Sequence, residues 1–285
     1  AVYYGAEGSL PEQIWGKEIS YNNLLDIEAA IELIGDFTEP TVAILKHNNA
    51  CGCASRETIP AAWEAALACD PLSAFGGIII ANREIDKSAA VGMNTIFFEV
   101  VIAPSYTSDA LEVLKEKKNR IILIDNKERK TATKFRSLLG GALVQERDTA
   151  VENAADHEVV TKTSPSAAEL QDLTFANKLV KHSKSNSIVL AKNNTLLASG
   201  VGQTSRVDAL RQAITKAEGF GFELSGAVMA SDAFFPFADS IEIAHKAGIT
   251  SVIQPGGSVR DKDTVEYCDQ NGISMVFTRT RHFKH

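Results

Sequence analysis

Residues 41–45 read Thr-Val-Ala-Ile-Leu, a short apolar run rich in β-branched side chains. Such a run is typical of a strand that is buried on both faces of a sheet. A predicted helix follows over residues 58–68, with Pro60 in its first turn and an alanine-rich interior. Residues 78–81 and 99–103 are strand-like again. This alternation of strands and helices predicts an α/β fold with a mostly parallel sheet and helices on its faces.

The alternation is repeated in the second half of the chain. A helix is predicted over residues 167–181, and a hairpin is predicted around Asn193 and Asn194. Between the halves, residues 125–166 form a polar and irregular tract, and we place a boundary at its end. The sequence therefore predicts two subdomains, which cover residues 1–165 and 166–285.

Composition and charge exclude several classes of protein. With 45% hydrophobic and 23% charged residues, the chain is neither a disordered tail nor a fibre. Its 29 Lys and Arg residues against 36 Asp and Glu leave a net charge of -7, so we expect no nucleic-acid partner. No apolar run approaches the roughly 18 residues of a membrane span, and the first residues do not resemble a signal peptide. Four cysteines without a disulfide framework indicate a reducing compartment, and we expect a cytoplasmic protein with no membrane partner.

Lys46 and His47 stand directly after the first confident strand. In open α/β sheets, ligands bind just beyond the carboxyl ends of the strands. A lysine beside a histidine at such a place joins a cation, which can stabilise developing negative charge, to a base that titrates near neutrality. The alternative is a solvated lysine and an incidental histidine.

Two stretches in the second half could bind ligands. Residues 200–206 (GVGQTSR) run from a strand to a predicted helix start, a place suited to anions, with Arg206 beside it. Residues 231–239 (SDAFFPFAD) place three aromatic and two acidic side chains between a strand and a helix. They could form a slot for a flat heterocycle or simply a corner of the core.

Cys51 and Cys53 form a Cys-x-Cys pair in a predicted strand-to-helix turn, similar in place to the cysteines of zinc deaminases. Those enzymes also need a His-x-Glu pair, and none occurs in this sequence. Packed, reduced thiols are therefore the better interpretation, and no metal is expected. Residues 279–285 are charged and aromatic, as in many solvated tails.

Taken together, the stretches resemble the AICAR transformylase family, whose members are fused to an IMP cyclohydrolase in a bifunctional purine biosynthesis protein. The resemblance spans nearly the whole chain, and its segments occur in the family's order. They lie at residues 16–26 (GKEISYNNLLD), 46–49 (KHNN), 70–77 (DPLSAFGG), 99–104, 185–187, 200–206, 230–239, 254–258 and 281–285 (RHFKH).

The resemblance implies a fold of two cytidine-deaminase-like, three-layer α/β/α subdomains and a formyltransferase activity. The formyl group would pass from the co-substrate 10-formyltetrahydrofolate to the 5-amino group of AICAR (phosphoribosylaminoimidazolecarboxamide), without a catalytic metal. His47 would accept the proton and Lys46 would stabilise the transition state. By analogy, AICAR is contacted by Gly76, Glu99, Asn186, Arg206, Phe234 and Arg281. The folate is contacted by Val207, Asp239, Gly256 and Gly257. Members of the family are homodimers whose active sites combine residues from both chains.

The sequence departs from the family pattern at three places. Ala50 stands where the family commonly has Pro, and Ala238 stands where it commonly has Arg. A substrate-binding Arg-Tyr motif of the family would precede Ala1, so we expect weakened AICAR binding by the chain as given. Two alternatives to the transferase are a hydrolytic zinc deaminase on the same fold and a catalytically silent ligand-binding or dimerisation module.

Overall fold

The computed structural model describes residues 3–5, 8–125 and 132–285. Strands and helices alternate along the first half, as the hydrophobic pattern predicts. Their bounds are β1 (Glu12–Trp15), α1 (Tyr21–Ile34), β2 (Thr41–Lys46), β3 (Asn49–Ser55), α2 (Ile59–Cys69), α3 (Pro71–Ala74), β4 (Ile78–Ala81), α4 (Lys87–Met93), β5 (Val100–Ala103), α5 (Ser108–Lys115) and β6 (Ile121–Ile124).

A separate hairpin follows in the tract between the halves, and the second half then repeats the alternation. The elements of the tract and of the second half are β7 (Thr133–Leu138), β8 (Gly141–Glu146), a short 3-10 turn (Ala154–Asp156), β9 (Glu158–Val159), α6 (Ala167–Lys181), β10 (Ile188–Lys192), β11 (Thr195–Gly200), α7 (Arg206–Gly219), β12 (Val228–Ser231), α8 (Asp239–Lys246), β13 (Ser251–Gln254), α9 (Asp261–Asn271) and β14 (Ser274–Phe277). The predicted helix over residues 167–181 is confirmed.

Helix ends follow capping residues that are visible in the sequence. The Ser166 hydroxyl accepts from the Glu169 amide, and the Glu169 side chain returns to the Ser166 amide, which completes a capping box at the start of α6. Ser205 caps α7 by accepting from the amide of Asp208. At the other end of a helix, Gly272 adopts a left-handed conformation (φ +70°) and terminates α9.

One twelve-stranded sheet forms the centre of the molecule, in the order β1-β6-β5-β4-β2-β3-β11-β10-β12-β13-β14-β9. Parallel pairing is confined to two blocks, β4-β5-β6 and β12-β13-β14. The strands between them are antiparallel, because tight turns join β2 to β3 and β10 to β11, and such turns can only connect antiparallel neighbours. The predicted α/β class is confirmed, and the sheet is a mixed one.

The two halves meet where β3 lies beside β11, with Ala54 opposite Thr195. The Arg56 guanidinium bridges this seam, donating to the Asn193 carbonyl at 2.9 Å and to the Thr195 hydroxyl at 2.6 Å. Asn193 forms the predicted hairpin turn with the residue that follows it, and both have positive φ. The proposed boundary after residue 165 thus divides one continuous sheet, and it stays a prediction.

Helices cover both faces of the sheet and make three layers. Helices α1 and α6 pack on one face over both halves, where the rings of Phe37 and Phe175 lie 5.4 Å apart. On the opposite face, α2, α4 and α5 cover the first half, and α7, α8 and α9 cover the second. The apolar layer under α1 and α6 is continuous across the seam, so the halves share a core.

The tract over residues 125–166 is more regular than predicted. Strands β7 and β8 form an exposed hairpin in it, and β9 adds a short edge strand to β14. The periodicity of such an exposed hairpin is weak, which is why the tract looked irregular. Residues 126–131 of this tract lie outside the described residues. Within the described part of the chain, none of the helices is long and apolar enough to cross a membrane.

Candidate active site

The predicted catalytic and ligand-binding residues lie at one edge of the twelve-stranded sheet, the edge that is formed by strand ends and the loops that leave them. Five successive pairings between β4 and β12 are antiparallel, so the two parallel blocks run in opposite directions. The shared edge therefore holds the amino ends of β4 and β5 but the carboxyl ends of β12, β13 and β14. Of the two parallel blocks, only β12-β13-β14 in the second half presents its carboxyl ends at this edge, where ligands bind in parallel sheets.

Lys46 and His47 lie at the tip of the β2–β3 hairpin. Lys46 is the last residue of β2, and its Nζ donates to the Phe75 carbonyl at 2.8 Å. His47 and Asn48 have φ values of +53° and +63°, which this two-residue turn requires. The Asn48 amide donates to Asp26 Oδ1 at 2.6 Å, which ties the tip to α1. The His47 side chain is exposed, so its imidazole is free to meet a ligand from outside the sheet.

Gly76 and Glu99 lie next to this tip, before β4 and β5. Gly76 has φ +74° and donates its amide to the Phe97 carbonyl, and a Cβ there would meet only the Phe97 ring at 3.9 Å. The Glu99 carboxylate is 2.5 Å from the Nζ of Lys17. With Lys46, these residues form what we call the hairpin cluster: Lys46, His47, Gly76 and Glu99.

A second group surrounds Arg206 at the start of α7. Its guanidinium donates to Asn186 Oδ1 at 2.9 Å, to Asp232 Oδ1 at 2.9 Å and to the Phe234 carbonyl at 3.2 Å. The Asp232 side chain is fully buried and that of Arg206 is 10% exposed, so the ion pair is largely withdrawn from water. Three predicted AICAR contacts thus meet in one place. We call Asn186, Arg206, Asp232 and Phe234 the arginine cluster.

Asp232 is a member of this cluster that the sequence reasoning did not select. The stretch over residues 231–239 was predicted as a possible slot with acidic side chains, but Asp232 was not among its predicted contacts. The sequence feature that could have identified Asp232 is its place at the end of a predicted buried strand. A carboxylate buried there needs a cationic partner, such as Arg206. Asn49 was missed too, and its Oδ1 accepts from the Lys184 amide at 3.3 Å across the seam.

The predicted folate residues are spread along the same edge. Val207 follows Arg206 in the first turn of α7, and Asp239 begins α8 with an exposed side chain. Gly256 and Gly257 have φ values of +70° and +97°, and the Gly257 amide donates to Asp261 Oδ2 at 2.6 Å. Among the described residues, Asp239 Oδ1 accepts from the Ser240 amide, and no hydrogen bond joins Asp239 to either glycine.

Arg281 lies on the last segment of the chain, beside the arginine cluster. Its guanidinium stacks over the Phe283 ring at 4.5 Å and is exposed. The neighbouring His282 amide donates to the Asp232 carbonyl at 3.2 Å, which brings the segment against the end of β12. The expectation of a solvated tail is wrong here, because His282 is buried with 2% of its surface exposed.

The cysteine pair lies on a strand and not in a strand-to-helix turn, which corrects the prediction. Cys51 and Cys53 both belong to β3 and are buried. Burial, together with the nearby Asp70 carboxylate, raises the pKa of Cys51 to about 12. Metals bind the thiolate, which is disfavoured here. Among the described residues, no group of three or more His, Cys, Asp or Glu side chains is placed to hold a metal ion.

Comparison with known proteins identifies the family. The AICARFT/IMPCHase bienzyme family matches residues 2–216. A bifunctional purine biosynthesis protein PurH from Bacteroides thetaiotaomicron is 62% identical over 283 residues, which cover 99% of this chain and 56% of the relative. Proteins of the same name from Persephonella marina and Caldicellulosiruptor bescii are 48% and 51% identical, and the alignments cover 99% and 96% of this chain and 55% and 53% of theirs.

All three relatives carry the name of a bifunctional purine biosynthesis protein. The chain belongs to the AICARFT/IMPCHase bienzyme family, and it spans little more than half the length of the curated relatives it matches. A solved protein in complex with 8-azaguanine aligns with 47% of this chain and 91% of its own at 12% identity and a TM-score of 0.28. That likeness is too low to bear on the fold, so the cytidine-deaminase-like character of the subdomains stays a prediction.

Proposed function

We propose that the protein transfers a formyl group from 10-formyltetrahydrofolate to the 5-amino group of AICAR, giving FAICAR and tetrahydrofolate. One observation carries the proposal. In a chain of the bienzyme family, the hairpin cluster and the arginine cluster lie at the same edge of the sheet. One cluster offers a base with a cation, and the other offers groups that recognise an anionic nucleotide.

In the proposed reaction, the amino group of AICAR attacks the formyl carbon. An aromatic amine is a poor nucleophile and must lose a proton as the new C–N bond forms, and the exposed His47 imidazole accepts it. Negative charge then develops on the formyl oxygen, and Lys46 stabilises it. The intermediate collapses when its bond to the folate N10 breaks, and N10 takes up the proton that the amine released.

Binding of AICAR is assigned to the arginine cluster with Arg281, Gly76 and Glu99. The Arg206 Nε is buried and has no hydrogen-bond partner within the described part of the chain. The guanidinium also lies at the start of α7, where the helix dipole favours an anion such as a phosphate. The folate is assigned to Val207, Asp239, Gly256 and Gly257.

In a single chain, the two clusters lie on opposite sides of the β3–β11 seam. From β2, which carries Lys46, to β12, which carries Asp232, there are four strand steps of about 4.8 Å, or about 19 Å in all. The Lys46 side chain points further away, toward Phe75 beside β4. We therefore propose a homodimer in which the hairpin cluster of one chain and the arginine cluster of its partner share one AICAR molecule.

The relatives are named bifunctional, and this chain covers about half of each. We propose that it is their transformylase part and that an IMP cyclohydrolase domain is fused to it in the whole protein. The family's upstream Arg-Tyr motif would then complete the AICAR site.

The test is steady-state formyl transfer with AICAR and 10-formyltetrahydrofolate, on this chain and on one extended upstream. We expect His47→Ala to lower turnover by roughly two to four orders of magnitude. His245→Ala is the matched control, because its imidazole lies on α8 beside the Tyr267 hydroxyl at 3.2 Å. A well-folded His47→Ala protein with near-native turnover would remove His47 from the mechanism. Folate hydrolysis or AICAR deamination without transfer would reject the proposed function itself.

A further inference from the structure

The last residues of the chain form a segment that crosses the functional edge of the sheet. We call residues 278–285 the C-terminal arm. The Thr278 amide donates to the Gln254 carbonyl at 3.0 Å, and the His282 amide donates to the Asp232 carbonyl at 3.2 Å. At its end, the Lys284 carbonyl accepts from the Ser185 amide at 2.9 Å. The arm thus passes over the ends of β13 and β12 and reaches the residues that precede β10.

Neighbouring side chains of the arm point to opposite sides. Arg281 and Phe283 are exposed, whereas His282 is 2% exposed. The His282 Nδ1 lies 2.6 Å from Asp148 Oδ2, and its Nε2 lies 3.2 Å from Glu152 Oε2. Glu152 Oε2 also accepts from the side-chain Nδ2 of Asn177 on α6 at 3.0 Å. His282 therefore anchors the arm to the segment over residues 148–152 and, through it, to α6.

The contacts of His282 decide its charge state on geometric grounds. A neutral imidazole donates from only one of its nitrogens, whereas the imidazolium donates from both. Here both nitrogens face carboxylate oxygens, which only accept hydrogen bonds when ionised. The arrangement is satisfied by a protonated His282 between two ionised carboxylates.

We propose that His282 is a positioning residue: clamped as an imidazolium between Asp148 and Glu152, it fixes the C-terminal arm so that Arg281 is presented to the anionic nucleotide at the arginine cluster. This inference rests on the proposed function, because it assigns Arg281 a nucleotide to bind. His282 itself is turned away from the exposed face and does not touch the substrate.

The electrostatics of the site give the proposal a pH dependence. Burial alone would lower the pKa of His282, but the hydrogen bonds to Asp148 and Glu152 and their charges outweigh it and raise the pKa to about 9. The pKa values of both carboxyls are lowered by the same contacts. The other titratable groups nearby are Lys181, which faces Asp148, and His157, which faces Glu152 and whose pKa is lowered by burial. The arm should therefore stay anchored below about pH 9 and loosen above it.

The first experiment tests the anchor without any ligand. The His282 imidazole is titrated by NMR, and exchange of its backbone amide is followed between pH 6 and pH 10. Asp148→Asn keeps a hydrogen-bond acceptor but removes one charge, so we expect the His282 pKa to fall by about one unit and amide protection to end at a correspondingly lower pH. His245→Gln is the control and should change neither. Unchanged titration of His282 in Asp148→Asn overturns the clamp.

The second experiment tests the role of Arg281 by transformylase kinetics across the same pH range. We expect His282→Gln to raise the KM for AICAR by about 10- to 100-fold, the effect of one charge-assisted contact, with a smaller change in kcat. In Asp148→Asn, the alkaline limb of kcat/KM should move to lower pH together with the amide protection. If protection moves and kcat/KM does not, the arm is purely structural and the proposal is rejected. If the wild-type chain extended upstream transfers no formyl group, the proposed function fails and the role of Arg281 with it, whereas the clamp result stands by itself.

Discussion

Complementation between defective chains tests whether the active site is shared. The strands that carry Lys46 and Asp232, β2 and β12, lie about 19 Å apart along the sheet, and we propose that one AICAR molecule takes the two clusters from different chains. Two variants disable one cluster each: His47→Ala removes the proposed base, and Arg206→Ala removes the central cation of the arginine cluster. In a hybrid dimer of these chains, one site combines both defects and the other combines the two intact clusters.

The expected recovery follows from counting sites. If two variants assemble at random in equal amounts, about half of the dimers are hybrids, and each hybrid has one intact site of two. The mixture should then show about one quarter of wild-type activity, against parents lowered roughly 100- to 10,000-fold. A hybrid purified through two different tags should show about half. Mixing His47→Ala with Lys46→Ala is the matched control, because both changes lie in one cluster and every site keeps a defect.

The assay is AICAR-dependent formation of tetrahydrofolate by chains that were unfolded and refolded together. Arg206→Lys is used beside Arg206→Ala, since it leaves a cation for the buried Asp232 if the alanine variant folds poorly. A double variant, His47→Ala with Arg206→Ala, should inactivate both sites when it pairs with a wild-type chain. Folded hybrids that are no more active than their parents would refute the shared site and return both clusters to one subunit.

Three further results follow from the geometry of the described residues. Asp232→Ala should lower the free energy of unfolding in urea by about 3–5 kcal/mol, because it leaves the Arg206 charge buried without its partner. Asp208→Ala, which removes an exposed ion pair, is the control and should change this free energy by less than about 1 kcal/mol. Equal effects of the two substitutions would contradict the prediction. Gly256→Ala should lower the stability measured by calorimetry more than Gly257→Ala does. Both glycines have positive φ, but only a Cβ at Gly256 would meet an aromatic ring, that of Phe277 at 2.7 Å. The reversed order would refute the clash. Chelators should leave the midpoint of thermal unfolding and the rate of formyl transfer unchanged. The reason is that the cysteines are buried and burial raises the pKa of three of them to about 12, which disfavours the metal-binding thiolate. Stoichiometric zinc in the protein, with loss of activity on chelation, would restore the deaminase alternative.

Much of the fold could be predicted because it depends on local patterns. The buried runs at residues 41–45 and 78–81 are too apolar for anything but an interior strand, and both are strands of the sheet. The caps at Ser166 and Ser205 mark helix starts for a local reason, since each hydroxyl accepts from a backbone amide three residues later. Sequence patterns of this kind act within one turn of a helix or one strand.

Strand direction could not be predicted in the same way. The β2–β3 hairpin turns at His47 and Asn48, which lack the glycine that marks the commonest tight turns. Without that signal, the residues after Lys46 looked like the loop of a strand-to-helix connection. For the same reason, Cys51 was predicted in a turn, and the sheet was predicted to be mostly parallel, whereas it is mixed. The partners of the arginine cluster were hidden for another reason, because Asn186 and Asp232 lie far apart along the chain and meet only through sheet order.

The topology that the sequence concealed also explains how a shared site can arise. The β3–β11 seam divides the sheet order into two sets of six strands, with the hairpin cluster on one side of it and the arginine cluster on the other. Because five antiparallel steps reverse the direction of the second parallel block, both clusters face out from the same edge. A two-fold axis through this edge near the seam would set two chains edge to edge and exchange the two sides. In the proposed dimer, each hairpin cluster would then face the partner's arginine cluster, so one symmetric contact would build two complete sites. If the blocks ran in the same direction, the carboxyl ends of the second would lie at the opposite edge, and no such contact could join the clusters.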